Sequence, residues 1–577
     1  MRRSLSALSL ACGLCVGLLP PAAVAATTAA DASTEMPDGS GPWVVQAYFD
    51  NEASLNLLLR RAAPWKANRR EGVLTIEVEN RFEYQRLLDE GFRVAIDAEL
   101  TWEFNHPPQR LPNQITGIAG FTCYRTVEET YAAASSLASN FPAIAEIVDI
   151  GDSWAKVQNS ANGYDLRVLR LTNRAIPGPK PVHFLQGGIH AREYVTSETV
   201  TRYAEWLVNQ YATNPDVSWV LDHSEVQVLM IANPDGRKIA ETSTTRSQRK
   251  NRNLNFCAGG GTSIGVDLNR NYPFDWAGPG SSNAPCDDIF RGPGAASEVE
   301  STAIIAHLRA VYPDQRGENP ATPGGDLTTP VPLDAHGIYM DVHSNAASTW
   351  YSWGNSAVLA PNANQLATLG RKLSFFNGYT PEPGANGGAI GGATDDFIYG
   401  TLGVPAFTIE MDGSTFWPSC TTYESAIVQK NLNAFWMASR LVRAPLRLAA
   451  GPEILNVNVV PASIDSSAQA TVTLTANDAR FNNSAGTEPT QAVASVGVYL
   501  APPWEAGATP VAAMSASDGA FNASTENATW SLSGSLLVPG RQRVWFQATD
   551  AAGNKGPVAA AFVTLTEAGQ VFRDGFE

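Results

Sequence analysis

Short apolar runs alternate with helical segments between residues 119 and 446, and this alternation constrains the fold of the chain most. Residues 182–185, 338–342 and 405–409 are compact and mostly apolar, which suits strands buried inside a sheet. Residues 200–211 repeat their apolar side chains at the spacing of an amphipathic helix. Strands that alternate with helices in this way predict an α/β domain.

The pattern changes on both sides of this domain. The chain has 577 residues, too many for one hydrophobic core, so we expect further folded units. Residues 26–118 contain, at 42–100, a β-α-β-α-β order that is typical of a small α+β domain. Residues 452–565 hold short Val-, Thr- and Ala-rich runs between turn residues, which predicts an all-β sandwich. Residues 566–577 form a C-terminal tail.

The first 25 residues have the composition of a secretory signal peptide. Arg2 and Arg3 precede the apolar stretch 5–19, and residues 23–25 form an Ala-x-Ala cleavage site. We therefore expect a secreted protein, extracellular or periplasmic, and find no other candidate membrane span. The net charge of -16 argues against binding to the phosphate backbone of nucleic acid.

Four cysteines remain once the signal peptide is removed, at positions 123, 257, 286 and 420. An even number in an exported chain predicts two disulfides, for which three pairings are possible. We favour Cys257–Cys286, which bracket one Gly- and Asn-rich region, and this choice pairs Cys123 with Cys420. Because none of the four has Cys-x-x-Cys spacing, a zinc–cysteine site is disfavoured.

A metal site is suggested where two of the predicted strands end. His190 and Glu193 follow the run 182–185 and are three residues apart, so that one turn places both on the same side. His343 follows the run 338–342 in the same way and is the best third ligand. Imidazole nitrogens and a carboxylate are suitable zinc ligands, and a catalytic zinc keeps one position open. An isolated His-x-x-Glu, however, is usually only a polar surface pair.

Six motifs in fixed order resemble the metallocarboxypeptidases of the pancreatic carboxypeptidase A/B type. The resemblance covers roughly residues 120–445, and residues 42–100 also resemble the pro-segment of that family. The matching pieces are His190-Ala-Arg-Glu193, Arg246-Ser-Gln-Arg249-Lys-Asn-Arg252, Gly265-Val-Asp-Leu-Asn269-Arg270-Asn, Ser297-Glu-Val-Glu300, His343-Ser344 and Phe407-Thr-Ile-Glu410.

This resemblance implies a fold and a set of ligands. It implies a central mixed sheet flanked by helices, a small α+β pro-domain before it and one Zn²⁺ per catalytic domain. The zinc ligands would be His190, Glu193 and His343, and Asp267 would orient His190 through its other ring nitrogen.

The resemblance also implies roles for four further side chains. Glu410 would be the general base for a zinc-bound water, and Arg249 would lie against the scissile carbonyl. Asn269 and Arg270 would bind the terminal carboxylate of the substrate, since an arginine fork suits a carboxylate. Without the resemblance, Glu410 could be a buried paired carboxylate, and Arg249 could belong to a solvated basic run.

The sequence departs from the family at one position. The family carries a mobile tyrosine eight residues before the aspartate of its Asp-x-x-Tyr segment, which reads Asp396-Phe-Ile-Tyr399 in this chain. Gly388 occupies that place, and Tyr379 would replace the tyrosine only after a loop shift. Asp395 precedes the segment at the position that sets specificity. An acidic group there favours C-terminal Lys or Arg, and the alternatives are that Asp395 points away from the pocket or binds a loop amide.

These observations predict a secreted, monomeric zinc metallocarboxypeptidase that acts on peptide or protein C-termini and is made as a zymogen. Cleavage within residues 101–120, for example after Arg110, would activate it. The alternatives are a zinc amidohydrolase acting on cell-wall peptides or acylated amino acids, and a non-catalytic binding protein on the same fold. The sequence assigns no partner to the sandwich.

Overall fold

The computed structural model describes residues 35–61, 64–69, 71–316, 327–413 and 415–566. The predicted signal peptide, residues 1–25, lies outside the described residues, and so does the predicted tail beyond residue 566. None of the helices in the described ranges is both long and apolar enough to span a bilayer.

The N-terminal region forms a four-stranded antiparallel sheet with helices packed beside it. Its elements are β1 (Trp43–Tyr48), α1 (Glu52–Arg61), β2 (Lys66–Asn68), β3 (Val73–Val78), α2 (Arg81–Asp89), β4 (Arg93–Ile96) and α3 (Ala98–Asn105). The strand order is β2-β3-β1-β4. The sequence pattern predicts three of these strands but not β2, since its three residues show no alternation of apolar and polar side chains.

The central region is built on an eight-stranded sheet. Its elements are α4 (Val127–Asn140), β5 (Ala145–Asp152), α5 (Trp154–Gln158), β6 (Asp165–Leu171), β7 (Val182–Gly187), α6 (Tyr194–Gln210), α7 (Pro215–His223), β8 (Glu225–Leu229), α8 (Pro234–Ala240), α9 (Val299–Val311), β9 (Ile338–Ser344), β10 (Ser348–Tyr351), α10 (Ala363–Asn377), β11 (Thr380–Pro383), α11 (Thr394–Phe397), β12 (Ala406–Met411), α12 (Cys420–Thr422), α13 (Val428–Leu441) and α14 (Pro445–Leu448).

Parallel and antiparallel strand pairs are combined in this sheet. The order is β11-β10-β12-β9-β7-β8-β6-β5. The central pairs β12·β9, β9·β7 and β7·β8 are parallel, whereas β10·β12, β8·β6 and β6·β5 are antiparallel. Strands β7 and β9 are buried along their whole length, as expected for the centre of a sheet covered by helices. The predicted α/β fold with a mixed central sheet is confirmed.

The C-terminal region is β-rich and consists of two sheets. Its strands are β13 (Glu453–Val460), β14 (Ser463–Ile464), β15 (Gln469–Asn477), β16 (Val493–Tyr499), β17 (Ala512–Ala513), β18 (Ser515–Ala516), β19 (Thr525–Ser533), β20 (Gly540–Asp550) and β21 (Ala559–Leu565). One sheet has the order β13-β15-β19-β18 and the other β14-β21-β20-β16-β17. Inward side chains of both sheets share one core that is separate from the core of the central region.

Covalent and ionic contacts connect distant parts of the chain. Disulfides join Cys257 to Cys286 and Cys123 to Cys420, with Cα–Cα distances of 5.0 and 5.5 Å, so the favoured pairing is confirmed. The C-terminal region is attached to the central region through α10, where Arg371 Nη1 lies 2.7 Å from Glu488 Oε2.

Candidate active site

Three neighbouring parallel strands end at one edge of the central sheet, and the candidate residues lie at that edge. His190 and Glu193 follow β7, His343 is the penultimate residue of β9, and Glu410 is the penultimate residue of β12. Glu410 and His343 are directly opposite each other in the strand register. Sites in open α/β sheets form at the carboxyl ends of the strands because loops diverge there.

A tight turn after β7 directs His190 and Glu193 to the same side. Gly188 has φ +65°, and a Cβ atom at this position would lie 2.5 Å from Ser197 Oγ, so only glycine fits. Asn233 Nδ2 donates to Ile189 O at 3.2 Å and fixes the loop. Helix α6 then begins at Tyr194, directly after Glu193.

The three predicted ligands converge on one point. His190 Nδ1 lies 2.8 Å from Glu193 Oε1, His343 Nδ1 lies 3.4 Å from Glu193 Oε2, and the two Nδ1 atoms are 3.0 Å apart. All three side chains are buried, and their ligand atoms lie within 4.8 Å of one another. In the part of the chain that the structure describes, no other group of three or more His, Cys, Asp or Glu residues could hold a metal ion.

The outer nitrogens of both imidazoles face carboxylates, and this arrangement fits a metal between the inner nitrogens. His190 Nε2 lies 3.3 Å from Asp267 Oδ1, and His343 Nε2 lies 3.0 Å from Asp341 Oδ2. Protons held on the two Nε2 atoms leave lone pairs on the facing Nδ1 atoms, which is the tautomer that binds zinc. Asp341 was not identified from the sequence. Because Asp341 lies two residues before His343 on a strand, both side chains lie on the same face of the sheet.

Arg249 contributes positive charge next to the ligand cluster. Its Nε and Nη2 donate to Asp267 Oδ2 at 3.1 and 2.9 Å, and its Nη1 lies 4.0 Å from Glu193 Oε1. Burial raises the pKa of the Asp267 carboxyl, but Arg249 and Arg270 lower it by more, to well below its usual range. Because Arg249 is buried, it does not belong to a solvated basic face.

Glu410 is half-buried and lines the same pocket as the three ligands. Burial raises the pKa of its carboxyl to about 7, although the nearby His343 opposes this shift. None of the described cations forms an ion pair with Glu410. The alternative that Glu410 is a paired structural carboxylate is therefore not supported, and a carboxyl with a pKa near neutrality can exchange protons with a substrate.

Asn269, Arg270 and Asp395 line the same pocket, and Asn269 Nδ2 lies 3.4 Å from His343 Nε2. Arg270 donates from Nε to Gly280 O at 2.7 Å and from Nη1 to Asn269 O at 2.9 Å. Burial lowers the pKa of its guanidinium to about 10. Asn269 Oδ1 accepts from Thr394 N at 3.0 Å, which holds its carboxamide in place.

Tyr379 does not reach the pocket. Its hydroxyl donates to Asp412 Oδ1 at 2.8 Å and accepts from Asn431 Nδ2 at 2.9 Å, and Tyr379 is not among the residues that line the pocket. It therefore does not occupy the place of the family tyrosine. The space beside Gly388 is taken by Leu59 of the N-terminal region: a Cβ at Gly388 would lie 2.5 Å from Leu59 Cδ1.

Comparison with known protein families agrees with this geometry. The family model described as zinc carboxypeptidase matches residues 130–433, which is more than half of the chain. The chain belongs to the zinc carboxypeptidase family. The predicted resemblance is thereby confirmed, and zinc is the metal of this family. The buried cluster of His190, Glu193 and His343 is compatible with it.

Two curated relatives illustrate how much of this chain the match covers. Mouse carboxypeptidase A2 is 33% identical over 227 residues, which are 39% of this chain and 49% of the relative. Metallocarboxypeptidase A of Arthroderma otae is 35% identical over 228 residues, which are 39% of this chain and 50% of the relative. The chain thus spans about half the length of the curated relatives it matches.

Solved structures share the fold. The carboxypeptidase A from Helicoverpa armigera matches with a TM-score of 0.54 and 22% identity, over 69% of this chain and 98% of that one. Thrombin-activatable fibrinolysis inhibitor matches with a TM-score of 0.53 and 20% identity, over 70% of this chain and 98% of that one. At this identity the likeness concerns the fold alone.

Proposed function

We propose that this protein is a zinc-dependent carboxypeptidase that removes the C-terminal residue of peptides. The observation that carries the proposal is one pocket that contains the three candidate zinc ligands, Glu410 and the two arginines Arg249 and Arg270. The curated relatives that match the chain bear the names of carboxypeptidases, which supports the same reaction.

The residues around the scissile bond would divide the chemistry among them. Zinc bound by His190, Glu193 and His343 would polarise the peptide carbonyl and lower the pKa of water to about 7. Glu410 would accept a proton from the attacking water and return it to the leaving amine, which its pKa of about 7 favours near neutral pH. Arg249 would stabilise the charge that develops on the carbonyl oxygen.

Arg270 would restrict the reaction to the end of a chain. Its Nε and Nη1 are used in hydrogen bonds to Gly280 O and Asn269 O. No described residue accepts a hydrogen bond from Nη2, so this nitrogen could bind the substrate carboxylate with Asn269 Nδ2. An internal peptide bond offers no carboxylate at this place, and an amidated terminus offers none either.

Asp395 would select C-terminal Lys or Arg. Its side chain is buried in the pocket, where Oδ1 accepts from Asp396 N at 2.9 Å and Oδ2 accepts from Thr408 Oγ1 at 3.0 Å. Each carboxylate oxygen has a second acceptor site that a substrate cation can use. Burial raises the pKa of the Asp395 carboxyl, and an incoming ammonium or guanidinium would favour its ionised form.

The N-terminal region would keep the enzyme inactive until its linker is cut. Its residues Leu59, Trp65 and Lys66 line the same pocket as the candidate zinc ligands, and they would cover its mouth. Arg69 Nη1 donates to Ala385 O and Asn386 O, at 3.1 and 2.7 Å, and holds this cover to the central region.

The linker and the disulfides support export of an inactive precursor. Most residues between 107 and 116 are exposed, among them Arg110, so a protease can reach this segment. The two disulfides fit an oxidising compartment. We therefore propose secretion with the signal peptide 1–25, a pro-segment over 26–118, a catalytic domain over 119–446 and a sandwich over 452–565.

Mass spectrometry of peptide digests tests the proposed reaction. The chain, cleaved in its linker, should shorten a peptide from its C-terminus one residue at a time, and a zinc chelator should stop the process. Glu410→Gln should lower kcat by about 10²- to 10⁴-fold with unchanged zinc content. Glu128→Gln makes the same substitution at a surface glutamate and should keep the wild-type rate.

Two results would contradict the proposed reaction, and a third would contradict only the proposed inhibition. Cleavage of acylated amino acids with no shortening of peptides would favour the amidohydrolase alternative. Zinc binding without any hydrolysis would favour a non-catalytic protein. Full activity of the intact precursor would exclude inhibition by the N-terminal region but would not contradict the proposed carboxypeptidase reaction.

A further inference from the structure

A buried hydrogen-bond network around Asp341 connects the candidate zinc ligand His343 to the floor of the substrate pocket. Asp341 and His343 are two residues apart on β9, so their side chains lie on the same face of the sheet. His343 Nε2 lies 3.0 Å from Asp341 Oδ2. Asp341 has no exposed surface, and His343 has only 2%.

The Asp341 carboxylate has two further hydrogen-bond donors. Thr394 Oγ1 donates to Oδ2 at 2.6 Å, and Gln186 Nε2 donates to Oδ1 at 3.2 Å. No described Lys or Arg forms an ion pair with Asp341. Burying a carboxylate without a cationic partner costs free energy unless several hydrogen-bond donors satisfy it. The buried position of Asp341 therefore needs an explanation.

The role of Asp341 in orienting the His343 imidazole explains this buried position. A proton on His343 Nε2, shared with Asp341, leaves the lone pair of Nδ1 directed to Glu193 and His190. Asp267 does the same for His190 from the other side of the cluster. Both imidazoles are thus held by buried carboxylates, one of which lies on the same strand as its histidine.

Thr394 extends the network to the substrate. Besides its hydroxyl bond to Asp341, its backbone N–H donates to Asn269 Oδ1 at 3.0 Å. The next residue, Asp395, lines the pocket. The position of α11, and with it the pocket floor, is therefore coupled to the imidazole of the candidate zinc ligand through the Asp341 carboxylate, and also through Asn269, whose Nδ2 lies 3.4 Å from His343 Nε2.

We propose that Asp341 is a positioning residue for zinc binding by His343, and that Thr394 transmits its position to the substrate pocket. This inference rests on the proposed zinc site. Contacts of ligand-orienting carboxylates with metal-bound histidines affect metal affinity by about 10- to 100-fold. Asp341 therefore controls how tightly the enzyme holds its metal, as well as where its substrate lies.

Zinc affinity of the full chain, measured by competition with a chelator, tests the proposal. Asp341→Asn preserves the volume of the side chain and should weaken zinc binding by about 10- to 100-fold. Asp149→Asn, on the exposed part of the edge strand β5 in the same sheet, should leave zinc affinity unchanged. A purely structural role of Asp341 would lower the thermal midpoint without changing zinc affinity, and that result would overturn the proposal.

Two variants of Thr394 keep the test independent of Asp341 itself. Thr394→Val removes the hydroxyl and should weaken zinc binding by less than Asp341→Asn does, with a raised KM for peptides. Thr394→Ser keeps the hydroxyl and should restore both values. If the Thr394→Val and Thr394→Ser variants bind zinc equally well, the Thr394 hydroxyl does not couple the zinc site to the substrate pocket. If the unmodified chain binds no zinc, the proposed function fails first, which separates the two failures.

Discussion

Replacing Trp65 by alanine should open the active-site pocket of the intact chain. Trp65 lies in the N-terminal region, is 2% exposed and packs within the hydrophobic core of the central region. Its ring centroid is 5.5 Å from those of Phe416 and Trp417 and 5.6 Å from that of Phe104. Because Phe416 and Trp417 follow β12, this side chain joins the covering segment to the strand that carries Glu410.

The magnitude of the effect follows from the burial of the ring. A buried Trp→Ala change removes about 3–5 kcal/mol of packing free energy, including the cavity that it leaves. If most of the lost packing free energy destabilises the closed state, the ratio of open to closed molecules rises by roughly 100- to 4,000-fold. This follows because about 1.4 kcal/mol corresponds to a factor of ten. The core of the N-terminal sheet does not include Trp65, so the sheet itself should persist.

The assay is the initial rate of peptide hydrolysis by the intact chain, with an uncut linker verified by mass spectrometry. Trp65→Ala should raise this rate toward that of the cleaved chain. Trp102→Ala is the control, because Trp102 belongs to the same region but is 62% exposed and, among the described rings, stacks on that of His106. A folded Trp65→Ala precursor with the low rate of the wild type would refute the reasoning, as would an equal increase in Trp102→Ala.

Three other substitutions address the cover and the pocket. Burial raises the pKa of Glu77 to about 8, so the docked segment holds a proton that the released segment loses. Docking should therefore weaken as pH rises from 5 to 8. Burial also raises the pKa of Glu79 and raises that of Glu83 to about 7, so Glu77→Gln should reduce this dependence without removing it when linker cleavage is timed at each pH; equal pH dependence in both chains would contradict it. Gly388→Ala should raise the activity of the intact chain relative to the cleaved chain, because its Cβ would lie 2.5 Å from Leu59 Cδ1; an unchanged ratio would show that this contact is unimportant. Asp395→Ala should lower kcat/KM for Lys-ended peptides by about 10- to 100-fold while Leu-ended peptides change little; equal losses for both would exclude a specificity role.

Elements with strong local signals could be predicted from the sequence. Thr126 and Glu129 predict a capping box, and the structure has both of its hydrogen bonds at the start of α4. The helical spacing within residues 200–211 corresponds to α6, whose apolar side is buried. The candidate ligands could be predicted because each of them follows a short apolar run, and parallel strands bring such positions to one sheet edge.

Other features depend on tertiary contacts that no local pattern encodes. Strand β2 is three residues long and forms through pairing with β3, not through its own propensity. Asp341 lies inside an apolar run, where a carboxylate gives no sign of the histidine it orients. The contact between Leu59 and Gly388 joins residues more than 300 positions apart, so neither position indicates the other.

The comparison of one peptide in two forms tests the proposed role of the pocket most directly. A peptide ending in lysine is offered to the linker-cleaved chain, once with a free terminal carboxylate and once as its amide. If Arg270 and Asn269 bind that carboxylate, the free form loses its lysine and the amide stays intact. If both forms are shortened at the same rate, the proposal that these residues recognise the chain end is wrong.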